Sequence, residues 1–358
     1  MVKCGVMNKR AKSTIYRAHI IHCADRDSLV PQFLEVRNGT IRSISRCRPG
    51  YPEAEVFDFG RLVIAPLFCD HHLHFFDRSG SGAADAGKQL IRHGIGRALE
   101  GGDRLGAGLT ARTVLGSRPQ ILTAGYALYK KGGYGSALGK GAEDAEDAER
   151  KIDELLSLPV DYIKIIHSGI YEPESDLITA GGFTLQELRH IVDHARKKGL
   201  AVYCHANGDS AVKEAVHAGV TAVIHGLRVS GMTLAAMASG NVAFIPTLNA
   251  FQGLRTITRT DAGRLNLEKA LSMHLSAVRR AYELGVRVLP GSDAGPSFLP
   301  YGSSYLAELL LLERAGLPYP DLIRAASASE LQVNAPADFL LLDGLSVKRV
   351  VMAGKVVC

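Results

Sequence analysis

The chain has 358 residues, 46% of them hydrophobic, with 42 basic and 36 acidic side chains for a formal net charge of +6. That is enough apolar chain for one large core and a smaller one, and no uninterrupted apolar run reaches the ~18 residues of a membrane-spanning helix. The basic excess is thinly spread; its densest spots, "YKKGG" and "HARKKG", are too short for a nucleic-acid surface, so neither a membrane nor a nucleic-acid partner is expected.

The first residues, "MVKCGVMNKRAKSTIYRAHI", carry basic groups but no apolar stretch, which does not read as a secretory signal. Six scattered cysteines (Cys4, Cys23, Cys47, Cys69, Cys204 and Cys358) form no CxxC pair and read as free thiols of a cytoplasmic protein. Residues 12–65 alternate apolar and polar side chains in "STIYRAHIIHC", "FLEVRNGTIRSISRC" and "EAEVFDFGRLVIAP". "RNGT" supplies an Asn-Gly hairpin turn.

Next comes "APLFCDHHLHFFD", an apolar run ending in three histidines within four positions. From there the pattern alternates short apolar strands with helices. "GIGRALEGG" is a weak strand, and "RPQILTAG" precedes the helix "EDAEDAERKIDELLSL". "DYIKIIHSG", "LAVYCHANG", "VTAVIHG", "NVAFIPT" and "VRVLPGSDAG" each precede a helical stretch in turn. Eight β-α units in ~265 residues favour a (β/α)8 TIM barrel over a doubly wound sheet. The C-terminal "ADFLLLDG" and "VKRVVMAGKVVC" are strands again, so the two ends are expected to meet in one small sheet domain.

Chemistry in such a barrel sits at the C-terminal ends of the strands. There the chain carries His72 and His74, Lys164, His205, His225 and Asp293. Residues two apart in a strand share a face, so His72 and His74 point together, with Asp70 below them. His71 points away, into the helix layer. Imidazoles and a carboxylate are good ligands for zinc and similar ions. Four histidines and an aspartate exceed what one catalytic zinc takes from protein, which suggests two metals. A lysine ammonium has no lone pair for a cation, so Lys164 fits only as a neutral amine or a carbamate.

The set "DHHLH", "YIKI", "YCHANG", "VIHG" and "GSDAG", in this order, resembles the amidohydrolase superfamily. "DYIKIIHSG", "HANG" and "FIPTL" are most similar to its binuclear branch of prolidase-like, dipeptide and acyl-amino-acid hydrolases, near imidazolonepropionase-related proteins. The resemblance implies a distorted barrel over 65–331 and a β-sandwich from 1–64 with 332–358. It implies two divalent ions, zinc first. His72, His74 and Asp293 would hold one, His205 and His225 the other, and Lys164 carboxylated by CO2 would bridge them. Two departures stand out. "GGYG" puts Tyr134 where relatives often have a histidine, and "AASASELQVNAPADFLLL" shortens the stretch after the last barrel helix.

The expected function is a metal-dependent amidohydrolase cleaving an amide-type C–N bond in a dipeptide or N-acyl amino acid. Asp293 is the expected proton shuttle. Tyr134, Lys131 and Arg228 are candidate contacts for a substrate carboxylate, and His167 a candidate neighbour of the metal ligands. Two alternatives remain: a single-metal deaminase or cyclic-amide hydrolase, against which Lys164 argues, and a non-catalytic metabolite-binding barrel. A homo-oligomer is left open.

Overall fold

The computed structural model of the chain describes residues 13–20, 31–50, 52–77 and 79–358; Cys4 and Cys23 lie outside them. In chain order the elements are β1 (Thr14–Ile20), β2 (Pro31–Arg37), β3 (Thr40–Ser45), β4 (Glu55–Pro66), β5 (Phe68–Leu73), α1 (Gly80–Arg92), β6 (Ile95–Glu100), α2 (Ala107–Leu115), β7 (Gln120–Thr123) and β8 (Ala127–Lys130). Then come β9 (Gly139–Ala142), α3 (Ala145–Leu155), β10 (Ile163–Ile166), β11 (Tyr171–Glu172), β12 (Leu177–Ile178), α4 (Leu185–Lys197), β13 (Val202–Ala206), α5 (Asp209–Ala218), β14 (Ala222–His225) and α6 (Gly231–Ser239). The last are β15 (Ala243–Ile245), α7 (Leu248–Gly253), α8 (Asp261–Glu283), α9 (Ser303–Arg314), α10 (Tyr319–Ala326), β16 (Phe339–Asp343), β17 (Ser346–Met352) and β18 (Lys355–Val356).

Two compact units result: the described residues up to Leu67 with Ser327–Cys358, and Phe68–Ala326. In the first, the strands follow the order β18-β17-β16-β4-β1-β2-β3. The resemblance implies a β-sandwich here, and these strands hydrogen-bond in one continuous order. The reason is β4, which is long enough to pair with β1 along one edge and with β16 along the other. Tyr16, Leu34, Ile41, Ile64, Phe339 and Leu341 bury one face as a single cluster, each large side chain contributing about 1.5–3 kcal/mol. The hairpin β2–β3 turns at Asn38 and Gly39, with φ of 52° and 72°, the left-handed pair that an Asn-Gly turn supplies.

The second unit is α/β with parallel sheets. The parallel strands divide between β5-β6-β7 and β15-β14-β13-β10-β8-β9, beside the small antiparallel hairpin β11-β12, rather than forming one continuous ring of eight. Two local causes are visible. Gly125, at φ 70°, breaks the third strand into β7 and β8, and β8 and β9 intervene before the helix expected to follow directly. The eighth strand forms only isolated bridges, Val288 to Phe244 and Ala294 to Leu73; Pro290 between them has no N–H to donate. Backbone bonds still tie this segment to both neighbours, from Leu289 N–H to Phe244 O (2.8 Å) and from His74 N–H to Ala294 O (2.8 Å).

The helices cover the sheets with apolar stripes. In α4 the stripe is Leu188, Ile191, Val192 and Ala195, and a reciprocal Thr184–Glu187 cap starts the helix. On the other face of the strands, Ala222, Ile224, Ala243 and Ile245 pack with Tyr203 and Leu289. No helix among the described residues is long and apolar enough to cross a membrane.

A Cβ at Gly39 would meet Ala353 O at 2.6 Å, whereas one at Gly60, also at positive φ, meets nothing within 4 Å. Gly39→Ala should therefore destabilise the fold by more than the roughly 1–2 kcal/mol of left-handed strain alone. Urea unfolding of Gly39→Ala beside Gly60→Ala measures the difference, and equal losses would contradict it.

Candidate metal centre

The site begins with the seam between β5 and residues 290–294. Asp70 is fully buried and accepts the His72 N–H (3.2 Å), the Ser292 N–H (2.9 Å) and the Ser292 hydroxyl. Burial still pushes its carboxyl up to about 7. Beside it, His71 N–H bonds Pro290 O at 3.0 Å and Asp293 N–H bonds His72 O at 2.7 Å. The seam sets Asp293 over the paired imidazoles: its Oδ1 lies 3.3 Å from His72 Nε2 and 3.7 Å from His74 Nε2. One ligand atom from each of the three lies within 4.8 Å of the others.

The remaining ligand candidates line the same cavity of about 260 Å³: Lys164 from β10, His205 from β13 and His225 from β14. The rings of His205 and His225 are 4.5 Å apart, those of His72 and His225 5.6 Å. His205 shares the Tyr203 face by simple alternation. His225 does not, because Ile224 takes that face and the next residue would point outward. A φ of 73° at His225 turns it back, and Thr247, itself at φ 48°, receives it with Oγ1 2.7 Å from Nδ1.

Three of the four imidazoles, His74, His205 and His225, are oriented through one nitrogen, while His72 Nδ1 is buried with no hydrogen-bond partner. His74 Nδ1 faces Gly102 O at 3.0 Å, leaving Nε2 toward Asp293. His205 Nε2 faces Gly169 O at 3.0 Å, leaving Nδ1. Burial, reinforced by Lys164 and the neighbouring rings, holds His72 and His225 well below the ordinary imidazole range and His205 at about 4; His74 is lowered too. All four are therefore neutral near pH 7, with lone pairs free for a cation. Burial lowers Lys164 to about 8, and its Nζ is enclosed with no hydrogen-bond partner. Burial raises Asp293. An orphaned amine among neutral imidazoles and one carboxylate is a donor set that fits zinc-like ions.

Residues 63–357 match the sequence pattern of the Amidohydrolase family. The chain belongs to this family. It is similar to ochratoxinase of Aspergillus niger, 24% identical over 323 residues, 76% of this chain and 65% of that protein. It is also similar to an uncharacterized protein of Mycobacterium tuberculosis, 27% identical over 213 residues, 58% of this chain and 56% of that one. The chain thus spans between 56% and 65% of the length of these curated relatives. Among solved structures, a Xaa-Pro dipeptidase with bound methionine in the active site superposes with a TM-score of 0.81 at 18% identity, over 96% of this chain and 99% of that one. Aspergillus niger ochratoxinase gives 0.76 at 19%, over 97% and 96%.

Of the other residues singled out in the sequence of this amidohydrolase-family chain, Tyr134 lines the cavity, whereas Lys131, Arg228 and His167 do not, and neither does His71, which is expected to point away. His71 bonds Pro290 O through Nδ1 (3.0 Å), and burial takes it to about 4. Lys131 is exposed and paired with Glu143, because both sit at the surface end of β8 and β9. Arg228 is taken up by Asp176 and lies over the Tyr171 ring at 5.4 Å. His167 is buried outside the cavity lining, and its Nε2 meets Glu214 at 3.0 Å. Tyr134 does line the cavity, 5.6 Å from the His205 ring, and burial raises its phenol to about 12.

Sequence reasoning passed over Asn207, inside the quoted "HANG", which lines the cavity and accepts the Leu227 N–H at 3.1 Å. It also passed over Glu308, a fully buried acid of α9 that accepts the Asn249 N–H at 2.7 Å and holds the start of α7 behind Thr247. Glu308 is the acid within "LAEL", with no motif around it, so nothing in the sequence separates it from an exposed helix acid.

Two outcomes follow. His72→Ala or His74→Ala should strip divalent metal from the purified protein while His71→Ala keeps it, read by elemental analysis; equal loss from all three would contradict the alternation. Burial raises Glu308 to about 8, so the fold favours its protonated form. The stability it contributes is present in acid and lost as pH rises through about 8. Glu308→Gln should show a smaller drop in Tm between about pH 5 and pH 9 than the parent; an unchanged drop would assign the pH dependence to other groups.

Proposed function

We propose that the unit Phe68–Ala326 is a distorted (β/α)8 barrel and a metal-dependent hydrolase of amide-type C–N bonds in small substrates. The observation that carries this reading is the cluster of four neutral buried imidazoles, Asp293 and the unpartnered Lys164 Nζ around one cavity. Family membership supports the hydrolytic class. His72, His74 and Asp293 would hold one ion and His205 and His225 a second, with Lys164 as a carbamate between them; that modification would turn an orphaned amine into an anion facing cations. Zinc is the first choice for this donor set. Bound ions of this kind polarise a carbonyl and lower the pKa of water.

The chain's own groups would do the rest. The Asp293 carboxylate is partly open to the cavity and borders both paired imidazoles. It is placed to accept a proton and return it to the leaving nitrogen. Tyr134 keeps its proton at neutral pH and can donate a hydrogen bond to the substrate carbonyl. The Gly102, Gly169 and Thr247 contacts fix which imidazole nitrogen faces inward. The tightness of the His72–His74–Asp293 triad keeps a single-ion version in play.

Metal content and turnover on the same sample test this reading. We expect two divalent ions per chain and hydrolysis of small amides. Asp293→Asn keeps the shape and one ligand oxygen, so it should retain much of the metal and lose at least ~10²-fold in kcat. One ion per chain would favour the single-ion version. A fully loaded Asp293→Asn protein with near-parental kcat would move the proton shuttle elsewhere.

A further inference from the structure

The cavity has two unlike halves. One is the polar floor of imidazoles, Asp293 and Lys164. The other is a wall of Phe76, Ile170, Phe251, Leu254, Ile257 and Phe298, drawn from four separate stretches of chain. Among the described lining residues, Lys164 is the one lysine or arginine, and it sits in the floor. The cations that could have met a substrate carboxylate are engaged elsewhere: Lys130 with Glu187, Lys131 with Glu143 and Arg228 with Asp176. Arg228 also stacks over Tyr171, which itself lines the cavity, with its guanidinium 5.4 Å from the ring. Tyr171 also donates its hydroxyl proton to Asp176 Oδ1 at 2.8 Å, so that group is occupied as well.

A carboxylate moved from water against such a wall loses its hydration and gains no charged partner. An aromatic or branched aliphatic group gains edge-to-face and apolar contacts there. At about 260 Å³ the chamber is near the lower end of ligand cavities, ~300 Å³, which suits a small molecule rather than a peptide chain.

From this the geometry points to a substrate class: a neutral small amide with an aromatic or branched apolar group next to the scissile bond and no carboxylate on the portion that meets the wall. This inference rests on the amide-hydrolase reading above and departs from a dipeptide or N-acyl amino acid. Discrimination against the carboxylate comes from the missing cation, and recognition of the apolar group from the Phe251 and Phe298 side of the chamber.

The test uses a matched pair, N-hexanoyl-phenethylamine and N-hexanoyl-phenylalanine, which differ only by the carboxylate. Full-length, zinc-loaded protein is assayed for kcat/KM on both, and binding of both is measured by calorimetry. We expect the neutral amide to be favoured by at least about tenfold, 1.4 kcal/mol. Ile257, an exposed wall residue, supplies a gain-of-function arm: Ile257→Arg should narrow or reverse that preference by adding a cation at the mouth. Equal or better hydrolysis of the carboxylate by the parent overturns the substrate class and leaves the hydrolase reading standing. Selective binding of the neutral amide without cleavage supports the chamber's preference and overturns the hydrolase reading. Neither binding nor cleavage of either compound overturns both.

Discussion

The buried carboxylate of Asp70 is the constraint on which the site depends. With no exposed surface, it can stay in the fold only if its oxygens are satisfied, and three donors from His72 and Ser292 do this. Charged hydrogen bonds of this kind contribute about 1.5–3 kcal/mol each. Two of the three donors lie 222 residues along the chain from Asp70, so satisfying it fixes the register of β5 against residues 290–294. That register decides where Asp293 sits relative to His72 and His74. A slip of one residue would turn the alternating side chains to the opposite face.

Burial then dictates the chemistry. Four imidazoles and an amine cannot all be protonated in so small a dry volume, and desolvation drives every one of them toward its neutral form. The result is a set of imidazole lone pairs around one cavity, the kind of donor a divalent cation takes. The backbone is strained to complete it: His225, Thr247 and Asp293 all hold left-handed φ values. Such residues cost on the order of 1–3 kcal/mol each and persist where their surroundings over-determine them. Here the Thr247–His225 hydrogen bond and the Asp293 N–H to His72 O bond are those surroundings. Glu308 adds a third, pinning the first turn of α7 just after Thr247.

The wall of the cavity follows different rules from its floor. The floor comes from strand ends, whose positions the sheet ladders fix. The wall comes from segments outside the strand ladders, loops and the short helix α7, where the chain is free to change without disturbing the ladders. Tyr171 on the short hairpin β11–β12 and Phe251 on α7 illustrate this. Each reaches the cavity from an excursion that the repeating β-α pattern does not require.

The chain by itself determined the α/β alternation, the Asn38–Gly39 hairpin, and the pairing of His72 with His74 against His71. All three follow from local periodicity and local dihedral preference, which are written residue by residue. It also set Lys164, His205, His225 and Asp293 at equivalent ends of apolar runs, from which all four reach one cavity. Tertiary structure alone decided the rest. Alternation by itself aims His225 outward, and only the left-handed turn held by Thr247 brings it in. Lys131 and Arg228 follow strands at the expected level, yet Glu143 and Asp176 claim them, and those partners lie 12 and 52 residues away. The wall of the chamber and the burial of Glu308 arise the same way. A charge finds its partner, and an apolar side chain its cover, through contacts between segments far apart in the chain, and no local pattern encodes a distance through space.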